Sequence, residues 1–346
     1  MNDCRCRYLI KTEVITEAAC ADSTKKRHFK KYEESSMRAC LTAIAIAFVA
    51  TDSAAGVLND FNLIVLRNVV SGTSEVEGRT IVFGDIRNSN AQNYAIFPES
   101  MSVPTTPGVN TSDTLIVGGR NFNNLNVNNG GVRIGGSGTS APINNADYVS
   151  TNDAGVAGIT AHVSQQVDAI TNFFDGLTVN SSVNTSDFNK AVFNSTQGSG
   201  GISVFEVNHQ FFNRNGTIDL AGDLTADLFL IKVNGASDIT SGNAFNVKTA
   251  EFSNDSFQEK IVWYFPNATN LNLVNGIGGA LVAPNASFRF GTPVEGSIVV
   301  KDLRLTSEVH LPTLEYEYEV IPEPGTGALC VVGAVVMINR RRRKAN

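Results

Sequence analysis

Between Gly56 and Ile321 the chain contains no cysteine; its five cysteines are Cys4, Cys6, Cys20, Cys40 and Cys330. That excludes a disulfide-stapled scaffold over this stretch of 266 residues. Cations are scarce as well. The stretch has 13 Lys plus Arg against 25 Asp plus Glu, a net charge of −12 where the whole chain carries −6. An acidic region rich in Asn and Gly is a poor partner for nucleic acid, which wants a basic face. Its thirteen cations are scattered along the sequence, which argues against a polysaccharide lyase and its Lys or Arg base. Only His162, His209 and His310 remain as imidazoles. No Gly-x-Ser-x-Gly elbow, His-Glu-x-x-His pair or phosphate loop occurs, so no catalytic residue is assigned and a non-enzymatic role is expected.

Apolar runs are short, and the two most distinct lie near the ends. At the C-terminus, Pro322, Glu323 and Pro324 precede an apolar run over 325–338, followed by Arg340, Arg341, Arg342, Arg343 and Lys344. An apolar segment backed by a cationic block enters a bilayer and stops with the cations on the cytoplasmic side. Fourteen helical residues span about 21 Å, short of the ~30 Å hydrocarbon core, so transient insertion in the inner membrane followed by removal suits it better than a permanent anchor. Near the other end, Met37-Arg38, the apolar run 39–50 and Ser53-Ala54-Ala55 read as a signal peptide over 37–55, cut between Ala55 and Gly56. Residues 1–36 are then expected to be a spurious extension, with Met37 the initiator. The C-terminal segment 322–346 resembles the PEP-CTERM sorting signal of Gram-negative bacteria. That resemblance implies an exosortase-type processing enzyme as partner and a destination at the cell surface or in the extracellular matrix.

The region between is built of short β-branched runs, three to six residues in the examples below, separated by Gly and Asn. Examples are 80–83, 114–117, 132–134, 202–207, 228–233, 261–265, 280–282 and 297–300. Such runs predict strands of an all-β domain over 56–314, with 315–321 a short linker. Leu125-Asn126-Val127-Asn128 and Leu271-Asn272-Leu273 alternate apolar and polar side chains, one set per face. One segment has another period. Val163, Val167, Ile170, Phe173, Phe174 and Leu177 recur at three and four residues, predicting one amphipathic helix over 162–177 capped by Gly176.

Val76-Glu77-Gly78 before Thr80-Ile81-Val82 is echoed by Val294-Glu295-Gly296 before Ser297-Ile298-Val299. Echoing strands with glycine corners suit an irregular right-handed parallel β-solenoid with the helix packed alongside; the alternative is a β-sandwich adhesin. The segments 61–65, 74–84, 279–286, 294–301 and 308–310 resemble the choice-of-anchor A domain. That resemblance spans most of 61–310 and implies a surface adhesive domain with no established enzymatic activity. The Ala283-Pro284-Asn285-Ala286 strand is similar to the solenoid of bacterial ice-binding proteins.

Binding candidates are few. Asp219, Asp223 and Asp227 recur every four residues around Gly222, and oxygen ligands of that kind would suit Ca²⁺. Glu308 and His310 would share a face in a strand and could ligate a metal. No other cofactor is expected. Trp263 and Tyr264 are the aromatic candidates for stacking on glycans, although their run, 261–265, is apolar enough for a core. The expected function is adhesion to exopolysaccharide or to glycans and proteins of other cell surfaces. A polysaccharide-active lyase or hydrolase and an ice-binding protein, which would want Thr-x-Thr ladders, are the alternatives.

Overall fold

Runs such as Leu63-Ile64-Val65 and Ile298-Val299-Val300 have apolar side chains at every position, and in the structure both surfaces of these strands are buried. Parallel sheets covered on both faces produce this pattern. The computed structural model describes residues 56–71, 74–87, 92–242 and 249–316, which fall within the unit Asp52–Ile321. Ala55 with the rest of the expected signal segment, and the sorting residues Pro322, Glu323, Pro324 and Arg340 to Arg343, lie outside the described residues. Among the described residues, no helix is long and apolar enough to cross a membrane.

Among the described residues every strand pair but one is parallel, which removes the antiparallel sandwich alternative. The longest sheet runs, in spatial order, Val149–Thr151, Gly131–Ile134, Asp113–Val117, Thr80–Val82, Leu63–Val65, Ile298–Leu305, Ala280–Phe290, Ile261–Tyr264, Leu228–Asn234 and Ile202–Asn208. The chain therefore starts in the middle and stacks coils outward to Val149–Thr151. It then crosses to the opposite end, restarts at Ile202–Asn208, and stacks back until the last coil meets the first. The crossing is made largely by the helix Gly155–Gly176, whose 22 residues extend about 33 Å. Ten strands at a spacing of about 4.8 Å put the outer two about 43 Å apart, so the helix covers most of the distance.

One buried cluster fills the interior of the coils, and a second lies between this sheet and the helix. Alternate residues of one strand serve each: Leu63 and Val65 point inward while Ile64 faces the helix side. Along the outer surface Ile116, Ile81, Ile64, Val299, Val282 and Tyr264 form one row in register. Val156, Ile159, Val163, Val167, Ile170 and Phe174 of the helix pack into that cluster.

The helix begins seven residues before the expected 162, because Gly155 and Gly158 lower the propensity of its first turns without breaking them. Its N-terminus is tied down by Arg133, which donates to Asp153 (2.8 and 3.1 Å) and to Asp113 (3.1 Å). The Gly155 N–H donates to Asp153 at 2.9 Å. The hydrogen bond from Arg133 is the main reason that Asp153 titrates at about 2. At the other end Gly176 is the last helical residue rather than a left-handed cap, and Leu177 is extended. Lys232 Nζ closes that end by donating to the carbonyls of Asp175 (3.3 Å) and Leu177 (2.7 Å). A cation at a helix C-terminus also complements its dipole.

Two further surfaces complete each coil. A flat one continues from the long sheet through Ile86–Arg87, Val69–Ser71, the second halves of Ile298–Leu305 and Ala280–Phe290, Asn270–Leu273 and Asp238–Thr240. Ala280–Phe290 thus runs eight residues beyond the expected 282. It bends from one surface to the other at a register shift between Ala283 and Ser287, where Pro284 is tolerated. The third surface is a six-stranded sheet containing Ile143–Asn144, Leu125–Val127, Gln92–Tyr94, Glu75–Val76, Val309–His310 and Val294–Glu295. Here the alternation at 125–128 becomes an asparagine ladder, with Asn126 donating to Asn93 (3.0 Å) and Asn144 to Asn126 (3.1 Å). The three-stranded sheet Ser182–Asp187, Lys190–Ser195 and Thr217–Gly222 holds the one antiparallel pair among the described residues.

The echo at 76–78 and 294–296 has a structural meaning. Val76 and Val294 flank Val309, and the strands that follow them flank Leu63–Val65. Both segments are therefore the same corner, one coil to either side of the junction. Gly296 has φ +150 there, and a Cβ on it would stand 2.4 Å from the Gly279 carbonyl oxygen. The junction is held by Asn62, fully buried. Its amide donates to the carbonyls of Gly296 (3.1 Å) and His310 (2.9 Å) and accepts from the Gly78 N–H (3.1 Å). Asn62→Ala strands the Gly78 N–H and the Gly296 carbonyl, while the His310 carbonyl keeps the Gly296 N–H at 3.1 Å; the change is expected to cost about 2 kcal/mol or more at about 1–3 kcal/mol per unsatisfied group. Urea unfolding of the variant beside the parent checks this.

Candidate functional site

Several of the residues singled out from sequence are structural. Trp263 is 0% and Tyr264 2% exposed, so neither can stack on a sugar. Trp263 points into the coil interior among Phe193, Phe211, Phe212 and Phe252, with ring centroids 5.8–6.4 Å away. Its indole N–H donates to the Gly278 carbonyl at 3.1 Å. Tyr264 points the opposite way and donates its hydroxyl to Asp175 of the helix at 3.0 Å. Burial and the Asp175 carboxylate both raise its pKa. Their apolar run decides the matter: on a strand covered on both sides, neither parity is solvent-facing.

Asp219, Asp223 and Asp227 are not gathered into a calcium site. Asp219, in Thr217–Gly222, pairs with Lys190 at 2.5 Å on the neighbouring strand. Asp223 accepts from the Thr225 N–H (3.0 Å) and hydroxyl (2.6 Å), and these bonds lower its pKa. Asp227 sits beside Gly201, to whose carbonyl its own N–H donates at 2.8 Å. A spacing of four would align them on a helix. On a strand followed by a turn it does not.

Glu308 and His310 do come together, as a spacing of two in a strand requires. His310 Nε2 lies 3.0 Å from Glu308 and Nδ1 3.0 Å from Glu295. Glu75 joins from the adjacent coil, and donor atoms of Glu75, Glu308 and His310 lie within 4.8 Å of one another. One imidazole nitrogen and two carboxylates are a donor set for a transition metal such as Zn²⁺ more than for Ca²⁺, which takes oxygen throughout. Glu75 was not legible because it is 233 residues from Glu308. Burial alone would lower the His310 pKa. The charges of Glu295 and Glu77 and the hydrogen bonds with Glu308 and Glu295 outweigh it, and the net shift is upward.

The expected linker also begins later than 315. The Glu315 N–H donates to the Glu259 carbonyl at 2.9 Å, and Tyr316 stacks on Phe173 of the helix with centroids 6.5 Å apart.

A regular exposed array runs along the flat surface. Its strands send Ile86, Val69, Leu303, Phe288, Leu271 and Ile239 inward, all buried. The intervening positions Arg87, Val70, Arg304, Arg289, Asn272 and Thr240 face out in one register row. Parallel pairing without slippage makes this a straight line of one side chain per coil, about 4.8 Å apart. Isolated bridges Ile86–Asn121 and Asn121–Thr139 extend the row, bringing Phe122 next to Arg87. Sequence reading missed this site because its residues come from coils up to 234 positions apart, as Val70 and Arg304 are.

Stacked parallel coils, a long helix lying along them and a ruled exposed surface define a class of β-helical binding domain. The chain belongs to the family described as "Putative Ice-binding-like adhesive domain", whose match spans residues 54–311. No curated protein matches it. A similar solved structure is titled "Crystal structure of a glycosylated ice-binding protein (LeIBP) from Arctic yeast". It is 12% identical, with 78% of this chain and 96% of that one covered, at a TM-score of 0.24.

A raised His310 pKa stabilises the fold below the ordinary imidazole value of 6.5, and this contribution is lost as pH rises through the folded value above it. The urea midpoint should therefore fall between slightly acidic and alkaline pH. His310→Gln should flatten that part of the profile and lower stability mainly on the acidic side.

Proposed function

We propose that this protein is an adhesive domain that acts outside the cell, holding exopolysaccharide or the surface of a neighbouring cell. Family membership over residues 54–311 supports adhesion. The observation that carries the reading is the flat surface, where consecutive coils present side chains in a straight row. Extended polymers repeat along their length, and a ruled surface meets them with several equivalent contacts at once, so that weak single contacts sum through multivalency.

The finer reading is a choice-of-anchor A domain of a Gram-negative bacterium. It would be exported through the signal at 37–55, inserted transiently in the inner membrane through 325–338, and released by an exosortase-type enzyme acting near Pro322-Glu323-Pro324. In this proposal the protein is not an enzyme and requires no cofactor. Ice binding is set aside because the outward row, Arg87, Val70, Arg304, Arg289, Asn272 and Thr240, is charged and uneven instead of a threonine ladder.

Co-sedimentation of the purified protein with matrix polysaccharide from the producing bacterium tests the reading. Binding without sugar release is expected, and it should persist with a chelator because the acidic turns are not assembled into a calcium site. Release of reducing ends would favour the lyase or hydrolase alternative. Failure to bind would remove the matrix as partner.

A further inference from the structure

The thirteen cations of 56–321 look scattered in sequence, yet six of them converge in space. Arg67, Arg87, Arg120, Arg289, Lys301 and Arg304 are all exposed on the flat surface or at its edge. Among the described residues, only Asp85, Asp238 and Asp302 stand with them on the same rungs. The surface is net positive on a stretch whose overall charge is −12.

The distribution within the surface is sharper still. Arg67 is paired with Asp302, and Arg87 with Asp85 at 2.6 Å. Arg289 and Arg304 have no carboxylate partner among the described residues. They are direct register partners on adjacent strands. Like charges placed opposite each other on a sheet repel and destabilise it, and a shared anion would relieve that repulsion. Guanidinium groups bind carboxylates in bidentate fashion, which ammonium groups do not. From Arg87 past Val70 to Arg304 and Arg289 the row covers three strand steps, about 14 Å. At one end the Arg120 guanidinium lies 4.9 Å over the Phe122 ring, beside Arg87. At the other end Asn272 and Thr240 supply neutral hydrogen-bonding groups.

We propose that this surface binds an acidic polysaccharide whose carboxylates fall along the arginine row, with Arg289 and Arg304 as its central contacts. The proposal rests on the adhesive reading and specifies its ligand chemistry. The acidic remainder of the domain repels the same polymer, so the chain would lie along this one surface.

Binding of the full-length protein to polygalacturonate, with dextran as the neutral control, tests it. Polygalacturonate should bind, more weakly as salt rises, and dextran should not. R289Q/R304Q should lower affinity at least tenfold and melt no lower than the parent, since it removes a repulsion. K190E/K260E changes charge away from the surface and should bind as the parent does. Undiminished binding by R289Q/R304Q, or an equal loss in K190E/K260E, would overturn the assignment. Binding to the native matrix without binding to polygalacturonate would overturn this assignment and leave adhesion standing. Binding to neither would remove both.

Discussion

Everything in this fold depends on the insertion of the first strand, Leu63–Val65, between Thr80–Val82 and Ile298–Leu305. Two stacks of coils, built from opposite ends of the sequence, meet at this strand in the long sheet, as they meet at Val69–Ser71 on the flat surface. Without that pairing each would end in an open parallel edge, an invitation to association with other chains. Asn62 supplies the specificity of the junction. Its amide meets one group from the coil on each side and one from the last strand, so a register slip would break three hydrogen bonds at once. His310, whose own carbonyl is one of those groups, brings Glu295 and Glu308 to the same corner. The closure is made between residues more than 230 positions apart, an arrangement that forms slowly but rigidly.

Rigidity at the junction has a functional consequence. The flat surface crosses it: Val70 belongs to the first stack, Arg304 and Arg289 to the second. The arginine row is straight because the two stacks are in register there. A binding surface distributed over both stacks is preorganised only while they remain joined, and preorganisation saves the ordering cost that a flexible binder would incur. The helix adds to this by bracing the outer side of the long sheet, with Arg133 at one end and Lys232 and Tyr264 at the other. Tyr264, an apparent sugar-stacking residue, contributes by holding the helix.

Much of the architecture was legible in the residues. Continuous apolar runs marked strands, and the 76–78 and 294–296 echo marked equivalent corners. The last turns of the helix announced themselves through Val163 to Phe174, while its first turns hid behind Gly155 and Gly158. The candidate site was far less legible. Lys301, Asp302 and Arg304 follow the apolar run 297–300, and an outward surface shows its polar residues only once the bend at 283–287 is known. Arg289 and Arg304 are 15 positions apart in sequence and adjacent in space, and no local pattern encodes that. Glu308 and His310 were found because their relation is local. Glu75 and Glu295, which complete their surroundings, belong to other coils.

Hydrogen exchange followed by mass spectrometry over the junction tests this account most directly. If the first strand closes two stacks into one unit, amides of 63–65 and 298–300 should exchange together and only with global unfolding, more slowly than the peripheral strand Ile143–Asn144. Rapid exchange of 63–65, independent of 298–300, would show that the two stacks are not joined as described and would contradict the account.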